Sequence, residues 1–309
     1  MRVLVVGMGS IGQKHYQVIK DLGHDVHGID IEDSFSDHIK RAYQAVFVCT
    51  PTHLHQEQAE KCAVRGIPCF IEKPFSQEWG RINEIAGLFD RAGVPNMVGC
   101  NLRFLPTMQK FRQIIRECGD SFSVLSVFGC NLNSWRFPGW KGYSQKLSEG
   151  GGIILEAIHE LDYLSWIWGL PTLLGSMTSN LPIPGVEHDV NTQAAILCRH
   201  PAWTFSTACL NSLDWGLTRF CTASTGTITV RWDFKQDSVF LDENGGRIVY
   251  PCLKDDMYVN QDKYFLEAVS EGEETVNSIA SHAKILRLAF DAKNLGDYTS
   301  KGNVNKISK

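Results

Sequence analysis

The sequence lacks any apolar run that approaches the roughly 18 residues a membrane-spanning helix needs. It also lacks a basic excess, since the net charge is −4 and charged residues make up 21% of the chain. We therefore expect no membrane partner and no face for nucleic acid. A strand pattern begins at residue 2, which leaves no room for a signal peptide. Together these absences favour a cytoplasmic protein with a small-molecule partner.

The sequence also lacks the closely spaced cysteine pairs that are typical of metal sites. Ten cysteines occur, but none forms a CxxC pair. Several, including Cys49, Cys69 and Cys198, lie in apolar strand-like runs, which is typical of buried thiols rather than disulfides or zinc ligands. We therefore expect no metal site and a reducing compartment. The chain also contains no internal repeat, low-complexity segment or evident linker.

A glycine motif follows the first strand pattern. Residues 3–15 read VLVVGMGSIGQKH, so four apolar residues lead into Gly7-x-Gly9-x-x-Gly12. Gly7 permits a tight turn, Gly9 lets the backbone approach a pyrophosphate, and Gly12 lets a helix pack closely on the strand. The helix N-terminus offers N–H groups and partial positive charge to phosphates. The motif predicts a dinucleotide site built from Gly7, Gly9, Ser10, Ile11 and Gly12.

An acidic residue stands where such a site needs one. Asp30 ends the second strand pattern, 23 residues after Gly7. A carboxylate there accepts hydrogen bonds from both ribose hydroxyls and repels a 2′-phosphate. Glu32 and Asp33 follow, and the first lysine or arginine after Asp30 is at residue 40. The pattern favours NAD over NADP, the alternative being an ordinary loop acid.

The first 100 residues alternate strand and helix patterns, which predicts a parallel sheet. Only 14 residues separate Asp30 from Ala45, so we expect one short helix at about 34–43 and a reduced sheet edge. From about residue 106 the pattern changes to period-2 strands, typical of a mostly antiparallel sheet with one open face. The predicted fold is α/β, with a Rossmann doubly wound domain at 1–119 and a C-terminal α+β domain at 120–309.

Glu72-Lys73-Pro74 closes a predicted strand. Ligands of doubly wound sheets bind beyond the carboxyl ends of strands, so we expect Lys73 to point into the crevice that holds the nicotinamide. An ammonium group there can hold a substrate hydroxyl and help remove its proton, and partial burial would lower its pKa. The alternative is a surface lysine at a strand end.

A predicted helix at about 152–168 carries Glu156, His159, Asp162, Tyr163 and Trp166. At about 100° per residue, they fall within roughly 120° of arc. An ionisable stripe on so apolar a helix is costly unless it lines a cavity or pairs internally. Histidine accepts protons near neutral pH, and a carboxylate one turn away could orient it. The alternatives are a solvated face or a structural His–Asp pair.

Weaker candidates flank these motifs. Thr50-Pro51-x-x-x-His55 follows a strand and could border the cofactor, or it could simply start a helix. Arg103, after the last parallel strand, could bind a substrate oxygen or form an ion pair that bridges the domains.

A loop before the glycine triplet at 150–152 combines aromatic residues with a cation, and Trp135 and Tyr143 are its candidates for substrate contact. Aromatic rings beside one cation suit a sugar ring and its oxygens. The alternative is that these rings anchor a buried loop.

These motifs together resemble the glucose–fructose oxidoreductase / inositol dehydrogenase / rhizopine catabolism (Gfo/Idh/MocA) family. The matching segments run nearly end to end: GMGSIGQKH at 7–15, CTPTHLH at 49–55, EKP at 72–74, NLRF at 101–104, GGGIILEAIHELDYLSWIWG at 150–169 and FLEAVSEG at 265–272. The resemblance implies NAD(P) bound in a Rossmann domain. It also implies a C-terminal open sheet that supplies the substrate face. Through this sheet the protein would form a homodimer or homotetramer.

The resemblance further implies that Lys73 is a catalytic lysine and His159 a general base. The family pattern has an aspartate four residues before this histidine, where the present chain has Leu155 and carries its acid at Glu156 instead. Segment 31–44 also departs from the family, which has a further helix and strand there. Cofactor contacts are assigned to the glycine turn, Asp30, Thr50, Pro51, His55, Glu72 and Lys73, and substrate contacts to Arg103, Trp135, Tyr143, Glu156 and Asp162.

The predicted function is hydride transfer between a nicotinamide cofactor, NAD rather than NADP, and a secondary alcohol or ketone. The glycine-triplet helix with GCNLRF upstream resembles members from surface-polysaccharide and nonulosonate pathways. We therefore expect a sugar, sugar nucleotide or cyclitol as substrate. The alternatives are a non-catalytic dinucleotide-binding regulator of the same fold and an NAD-recycling epimerase or lyase.

Overall fold

The computed structural model describes residues 1–119, 121–131, 143–251 and 256–300. The chain divides into two compact units, which we call unit 1 (1–104 and 256–286) and unit 2 (105–255 and 287–309). The predicted division after residue 119 differs from this one in two respects. A helix over Pro106–Cys118 packs on the strands of unit 2, and residues 256–286 return to unit 1. A single boundary therefore does not describe how the chain is distributed.

Strands and helices alternate through the first part of unit 1: β1 (Arg2–Val6), α1 (Ser10–Asp21), β2 (Asp25–Ile29), α2 (Phe35–His38), β3 (Ala45–Val48), α3 (His55–Val64), β4 (Cys69–Glu72), α4 (Ile82–Ala92) and β5 (Asn96–Gly99). The five strands form one parallel sheet in the order β2-β1-β3-β4-β5. β3, β4 and β5 are buried along their whole length, as expected for strands covered on both faces. The predicted parallel sheet is confirmed.

The shortened segment between β2 and β3 contains only α2, which is shorter than the predicted helix at 34–43. Ser34 caps α2, its Oγ accepting the Asp37 N–H at 3.3 Å. No strand lies beyond β2 in this sheet, among the residues the structure describes. The prediction of a reduced sheet edge is confirmed.

Unit 2 contains a longer list of elements: α5 (Pro106–Cys118), β6 (Ser123–Asn131), α6 (Ile153–Glu156), α7 (Ile158–Trp168), β7 (Thr172–Ser179), β8 (Gln193–Arg199), β9 (Phe205–Asn211), β10 (Leu213–Ser224), β11 (Ile228–Asp233), β12 (Ser238–Glu243) and β13 (Gly246–Pro251). The eight strands form one sheet in the order β13-β12-β11-β10-β6-β9-β8-β7. Only the β6–β9 pairing is parallel among the strands described, so the mostly antiparallel sheet is confirmed.

Alternate rows across this sheet show which face is covered. Ser126, Ala208 and Ile196 form one row and are all buried. In the neighbouring row Leu125 and Leu197 are 41% and 42% exposed. One face is therefore covered, by α7 among other elements, and the other is open.

Two helices follow β13. α8 (Met257–Glu271) lies in unit 1, and α9 (Ile279–Ser300) begins there and ends in unit 2. Phe265 of α8 makes edge contacts with Phe47 and Phe70, at centroid distances of 5.3 and 5.7 Å, and those two rings stack at 4.7 Å. The core of unit 1 thus includes a residue from late in the chain.

The predicted continuous helix at 152–168 is wrong in one respect. The backbone leaves helical geometry at Ala157, with φ −96° and ψ 28°, so α6 and α7 are separate helices. The uniform 100° spacing does not extend across this residue. Glu156 therefore cannot be assigned to the face of His159 by counting residues along one helix.

Two further features concern membranes and cysteines. Within the described ranges, no helix is long and apolar enough to cross a bilayer. The cysteines there are free thiols, and Cys49, Cys69 and Cys198 are buried, as the apolar runs around them predict.

Candidate functional site

The glycine turn between β1 and α1 shows why two of its glycines are required. Gly7 has φ +90°, and a Cβ there would lie 2.9 Å from the Cys49 carbonyl. A Cβ on Gly12 would lie 1.8 Å from the Gly7 oxygen, so no other residue fits. A Cβ on Gly9 would meet no heavy atom within 4 Å. The backbone is therefore bare and open at Gly9, which fits the close approach of a pyrophosphate.

Helix α1 begins at Ser10, and Gly9 supplies no side-chain cap. Ile11 is partly buried against the hydrophobic core of unit 1. The first N–H groups of α1 therefore have no side-chain acceptor at the cap position. Such a terminus suits phosphate oxygens, so the donor set fits a dinucleotide.

Asp30 is exposed directly after β2. Its Oδ1 accepts the Ile31 N–H at 2.9 Å, and its own N–H donates to Asp33 Oδ2 at 3.0 Å. These local bonds orient an exposed carboxylate at the end of a strand adjacent to β1. Such a group fits a ribose diol, and the predicted contact stays a prediction.

Lys73 is half-buried immediately after β4. Its N–H donates to Oε2 of Glu72 at 3.2 Å, and the Lys73–Pro74 peptide bond is cis. Because β4 lies inside a parallel sheet, Lys73 occupies its carboxyl edge, as the sequence predicted. We call residues 72–74 the Lys73 turn.

His55 links the Lys73 turn to the end of β3. Its Nδ1 lies 2.9 Å from the Pro74 oxygen and its Nε2 lies 2.7 Å from the Thr50 oxygen. The ring is buried, and burial lowers the pKa of His55 although the two carbonyl groups oppose this. Thr50 Oγ1 donates to Gln58 Oε1 at 2.6 Å. Thr50, Pro51 and His55 thus form a connected segment beside the Lys73 turn.

His15 is a residue that the sequence analysis missed as a candidate. It lies on α1 and is fully buried, with Nε2 3.0 Å from Glu72 Oε1 and Nδ1 2.8 Å from Asp262 Oδ2. Burial is the largest single influence on the pKa of His15 and lowers it. Asp262 and Glu72 together outweigh burial and raise the pKa of His15 to about 9. The two carboxyl groups therefore favour the protonated form of the His15 ring.

The remaining substrate candidates are only partly described. Arg103 lies in a 3₁₀ turn over Asn101–Phe104 and is buried, and its Nη1 donates to the Val276 oxygen at 2.9 Å. This contact anchors one nitrogen of the Arg103 guanidinium group within unit 1, and the predicted substrate contact stays a prediction. Trp135 and the side chain of Tyr143 lie outside the described residues.

The ionisable residues around α7 are buried. Glu156, His159 and Asp162 are 6%, 8% and 1% exposed. This burial excludes the solvated-face alternative. Tyr163 Oη lies 2.6 Å from Ser126 Oγ on the covered row of the sheet, so it serves packing.

A buried ion pair in unit 2 also escaped the sequence analysis. Glu160 is fully buried, and its two oxygens accept from Nε and Nη2 of Arg219 at 2.8 and 3.2 Å. The guanidinium group lies over the Phe128 ring at 4.5 Å. Arg219 lies on β10, so the pair fastens α7 to the sheet that it covers. It is next to His159 in sequence but performs a structural task.

The parallel sheet, the bare glycine turn and the exposed acid after β2 define a dinucleotide-binding protein of the Rossmann type. Residues 25–100 match the family model described as "Oxidoreductase family, NAD-binding Rossmann fold". With the relatives reported below, this match confirms the resemblance drawn from the motifs. Over residues 25–100 the chain is similar to the NAD-binding domain of Gfo/Idh/MocA oxidoreductases.

Two curated relatives and one solved structure illustrate the range of similar proteins. The rhizopine catabolism protein MocA of Rhizobium meliloti is 25% identical over 64% of this chain and 67% of its own length. The 2,7-anhydro-N-acetylneuraminate hydratase of Mediterraneibacter gnavus is 29% identical over 41% of this chain and 33% of its length. A levoglucosan dehydrogenase in complex with NADH and levoglucosan superposes with a TM-score of 0.84 at 14% identity, covering 96% of this chain and 97% of the other. At that identity the structural match shows the fold alone.

Proposed function

We propose that the protein transfers hydride between NAD and a secondary alcohol or ketone on a sugar, sugar nucleotide or cyclitol. The observation that carries this proposal is the anchored Lys73 turn at the carboxyl edge of an NAD-binding sheet. A half-buried ammonium group at that edge suits an oxygen that gains or loses a proton during redox chemistry.

The roles divide between binding and proton transfer. The glycine turn and Asp30 hold the dinucleotide. When bound, the nicotinamide ring supplies the acceptor or donor of the hydride. Lys73 holds and polarises the substrate oxygen, and His159 takes or returns its proton.

Further roles concern substrate recognition and cofactor preference. Glu156 and Asp162 flank His159 in sequence and would orient its ring and contact the substrate. Arg103, Trp135 and Tyr143 are the other proposed substrate contacts. Asp30 supports NAD over NADP because it would repel a 2′-phosphate.

The names of the relatives support a sugar-like substrate. One solved neighbour carries levoglucosan with NADH, and other relatives are named as inositol dehydrogenases. These are polyhydroxylated rings, which present secondary alcohols to the cofactor. The individual substrate would be found by screening this class.

The test combines cofactor binding with turnover. Purified protein is titrated with NADH by fluorescence and assayed with NAD and a panel of sugars, sugar nucleotides and cyclitols. We expect Lys73→Ala to lower kcat by about 10²–10⁴-fold while NADH still binds. Lys61→Ala is the matched control, since this lysine on α3 pairs with Glu57 and Ser36 at the surface. An unchanged kcat in Lys73→Ala would refute the assignment, and NADH binding without any turnover would support a non-catalytic regulator.

A second candidate is a reaction with no net redox change. One relative is named as a hydratase, which belongs to a class that adds water rather than transferring hydride to an external acceptor. NAD would then be reduced and reoxidised within one turnover. If product forms while no NADH appears in free solution, this candidate replaces the dehydrogenase.

We also propose that a second copy of the chain covers the open face of the eight-stranded sheet. Leu125 and Leu197 there lie in one exposed row, and Met177 on the edge strand β7 is 67% exposed. Exposed apolar side chains grouped on one face of a sheet are typical of an interface. Sedimentation should give a dimer or tetramer, and Leu197→Glu should shift it toward the monomer.

A further inference from the structure

His15 makes a contact with both of its ring nitrogens, and each contact is to a carboxylate. Nδ1 lies 2.9 and 2.8 Å from the two oxygens of Asp262, and Nε2 lies 3.0 Å from Glu72 Oε1. A neutral ring carries a lone pair on one nitrogen, which would face a carboxylate oxygen. Between two ionised carboxylates only the imidazolium donates to both sides, so these contacts favour a charged ring.

Aromatic rings pack around the His15 imidazole. Phe47, Phe70 and Tyr258 surround it, at centroid distances of 5.6, 5.1 and 5.7 Å. The Tyr258 ring is also covered by Lys14 at 3.8 Å. The nearby Cys49 thiol is buried, and burial with the charges of Glu72 and Asp262 raises its pKa. Asp262 and Glu72 are therefore the partners that hold the proton on His15.

Glu72 carries the effect of His15 to the Lys73 turn. Its Oε1 contacts the His15 ring, and its Oε2 accepts the Lys73 backbone N–H at 3.2 Å. The space beside Oε1 is already tight, because a Cβ on Gly99 would come within 3.2 Å of that atom. The carboxylate therefore has one oxygen for each neighbour, and His15 determines which way it faces.

The other end of the Lys73 turn is held by His55 through the Pro74 oxygen. Lys73 thus lies between two residues that are each fastened by a buried histidine. One histidine acts by charge and the other by hydrogen bonds to carbonyl groups. A turn fixed on both sides directs the Cα–Cβ bond of its middle residue, from which the Lys73 side chain extends.

We propose that His15 is a positioning residue for the reaction: it holds Glu72 in the orientation that receives the Lys73 N–H and so fixes the direction of the Lys73 side chain. His15 touches neither substrate nor cofactor in this role. The inference rests on the proposed function, because it concerns a reaction in which Lys73 takes part. It predicts that kcat falls when His15 loses its proton or its ring.

The first experiment replaces the ring. His15→Gln should lower kcat on the order of 10²-fold, since small misplacement of a catalytic group has effects of that size, while KM and NADH affinity stay unchanged. His200→Gln is the matched control. His200 is another buried histidine with both ring nitrogens bonded, to Gly169 and Ser206, but it lies in unit 2. It should lose stability without a comparable loss of kcat.

The second experiment keeps the ring and changes its charge partner, in case His15→Gln does not fold. Asp262→Asn is nearly isosteric and removes one carboxylate, so the His15 proton is held less tightly. The alkaline fall of kcat should move to lower pH by about one unit or more. The ¹³Cε1 resonance of His15, assigned by its loss in His15→Gln or by its shift in Asp262→Asn, should titrate with the same midpoint as activity in each protein.

The outcomes separate this inference from the proposed function. If the wild-type protein turns over no substrate, the proposed function fails and the inference with it. If the wild type is active and His15→Gln keeps its kcat, the inference alone fails. It also fails if the His15 resonance titrates at or below about pH 6.5, or if Asp262→Asn moves the resonance but leaves the activity profile in place.

Discussion

The two units bury charge in different ways. Unit 1 places a histidine between two carboxylates, whereas unit 2 places a glutamate against an arginine. Both clusters fasten a helix to a sheet, α1 and α8 to the end of β4 in one case and α7 to β10 in the other. The cluster in unit 1 has three members and a proton that can leave. The pair in unit 2 has an arginine in place of the histidine, a residue type that proteins do not deprotonate.

The difference teaches what each cluster is suited for. An arginine–glutamate pair with two short bonds is a permanent fastening. A histidine between carboxylates holds both of them only while its ring is protonated, so the strength of these contacts depends on pH. The titratable cluster is the one connected to the Lys73 turn.

The largest expected effect comes from breaking the permanent pair. Arg219→Met leaves Glu160 buried without its cation and should lower the free energy of unfolding by about 3–5 kcal/mol. Urea unfolding followed by tryptophan fluorescence measures it, because every tryptophan except Trp79 lies between residues 105 and 255. The double variant Glu160→Leu/Arg219→Met should regain most of the loss. A single variant as stable as the wild type would show that the pair is not the fastening we describe.

A smaller effect, with a pH signature, is expected from unit 1. The pKa of His15 is raised from 6.5 to about 9, so its proton contributes stability in full below pH 6.5, and this contribution is lost as the pH rises through about 9. Over that window the wild type should lose about 3 kcal/mol relative to His15→Gln. Hydrogen exchange of peptides from α1 and α8, measured by mass spectrometry, follows the change. Exchange from α7 should stay flat, and a parallel change there would remove the contrast between the units.

The hydrogen bond between Tyr163 and Ser126 involves no charge and lies in the same unit as the arginine pair, so it separates the effect of charge from that of burial. Tyr163→Phe removes the hydroxyl that contacts Ser126 and should cost about 1 kcal/mol, because the Ser126 hydroxyl stays buried. Ser126→Ala/Tyr163→Phe should recover part of it. The same urea unfolding experiment applies, and a loss as large as that of Arg219→Met would show that burial rather than charge sets the cost.

The smallest effect is expected where the charges are exposed. Arg81 pairs with Glu60 and Glu84 on the surface of unit 1, and its pKa is raised by these two partners. Solvent screens such pairs and the long side chains lose entropy, so Arg81→Ala should leave the unfolding midpoint unchanged. A clear fall would mean that surface networks also carry stability in this protein.

Much of unit 1 could be predicted because its signals are local. Continuous apolar runs predict buried parallel strands, and the spacing of Gly7, Gly9 and Gly12 predicts the turn. The short interval between Asp30 and Ala45 predicts the reduced edge. Each of these inferences needs only neighbouring residues, so tertiary context had little to override.

The missed features depend on contacts between distant segments. His15 and Asp262 are 247 positions apart, and no local pattern pairs them. The break at Ala157 was missed because alanine is a strong helix former, so its sequence argues for continuity. Strand β13 is a sheet edge and is exposed along nearly its whole length, so its sequence carries little alternation between apolar and polar residues.

The contribution of α8 to unit 1 has a consequence for synthesis on the ribosome. The nascent chain exposes the whole parallel sheet long before residues 257–271 emerge, and until then Phe265 is absent from the core and His15 faces only one carboxylate. The nucleotide-binding half therefore cannot reach its final form when its own strands are complete. A fragment cut after the last parallel strand would be an unfinished domain, and the late helix must return to close it.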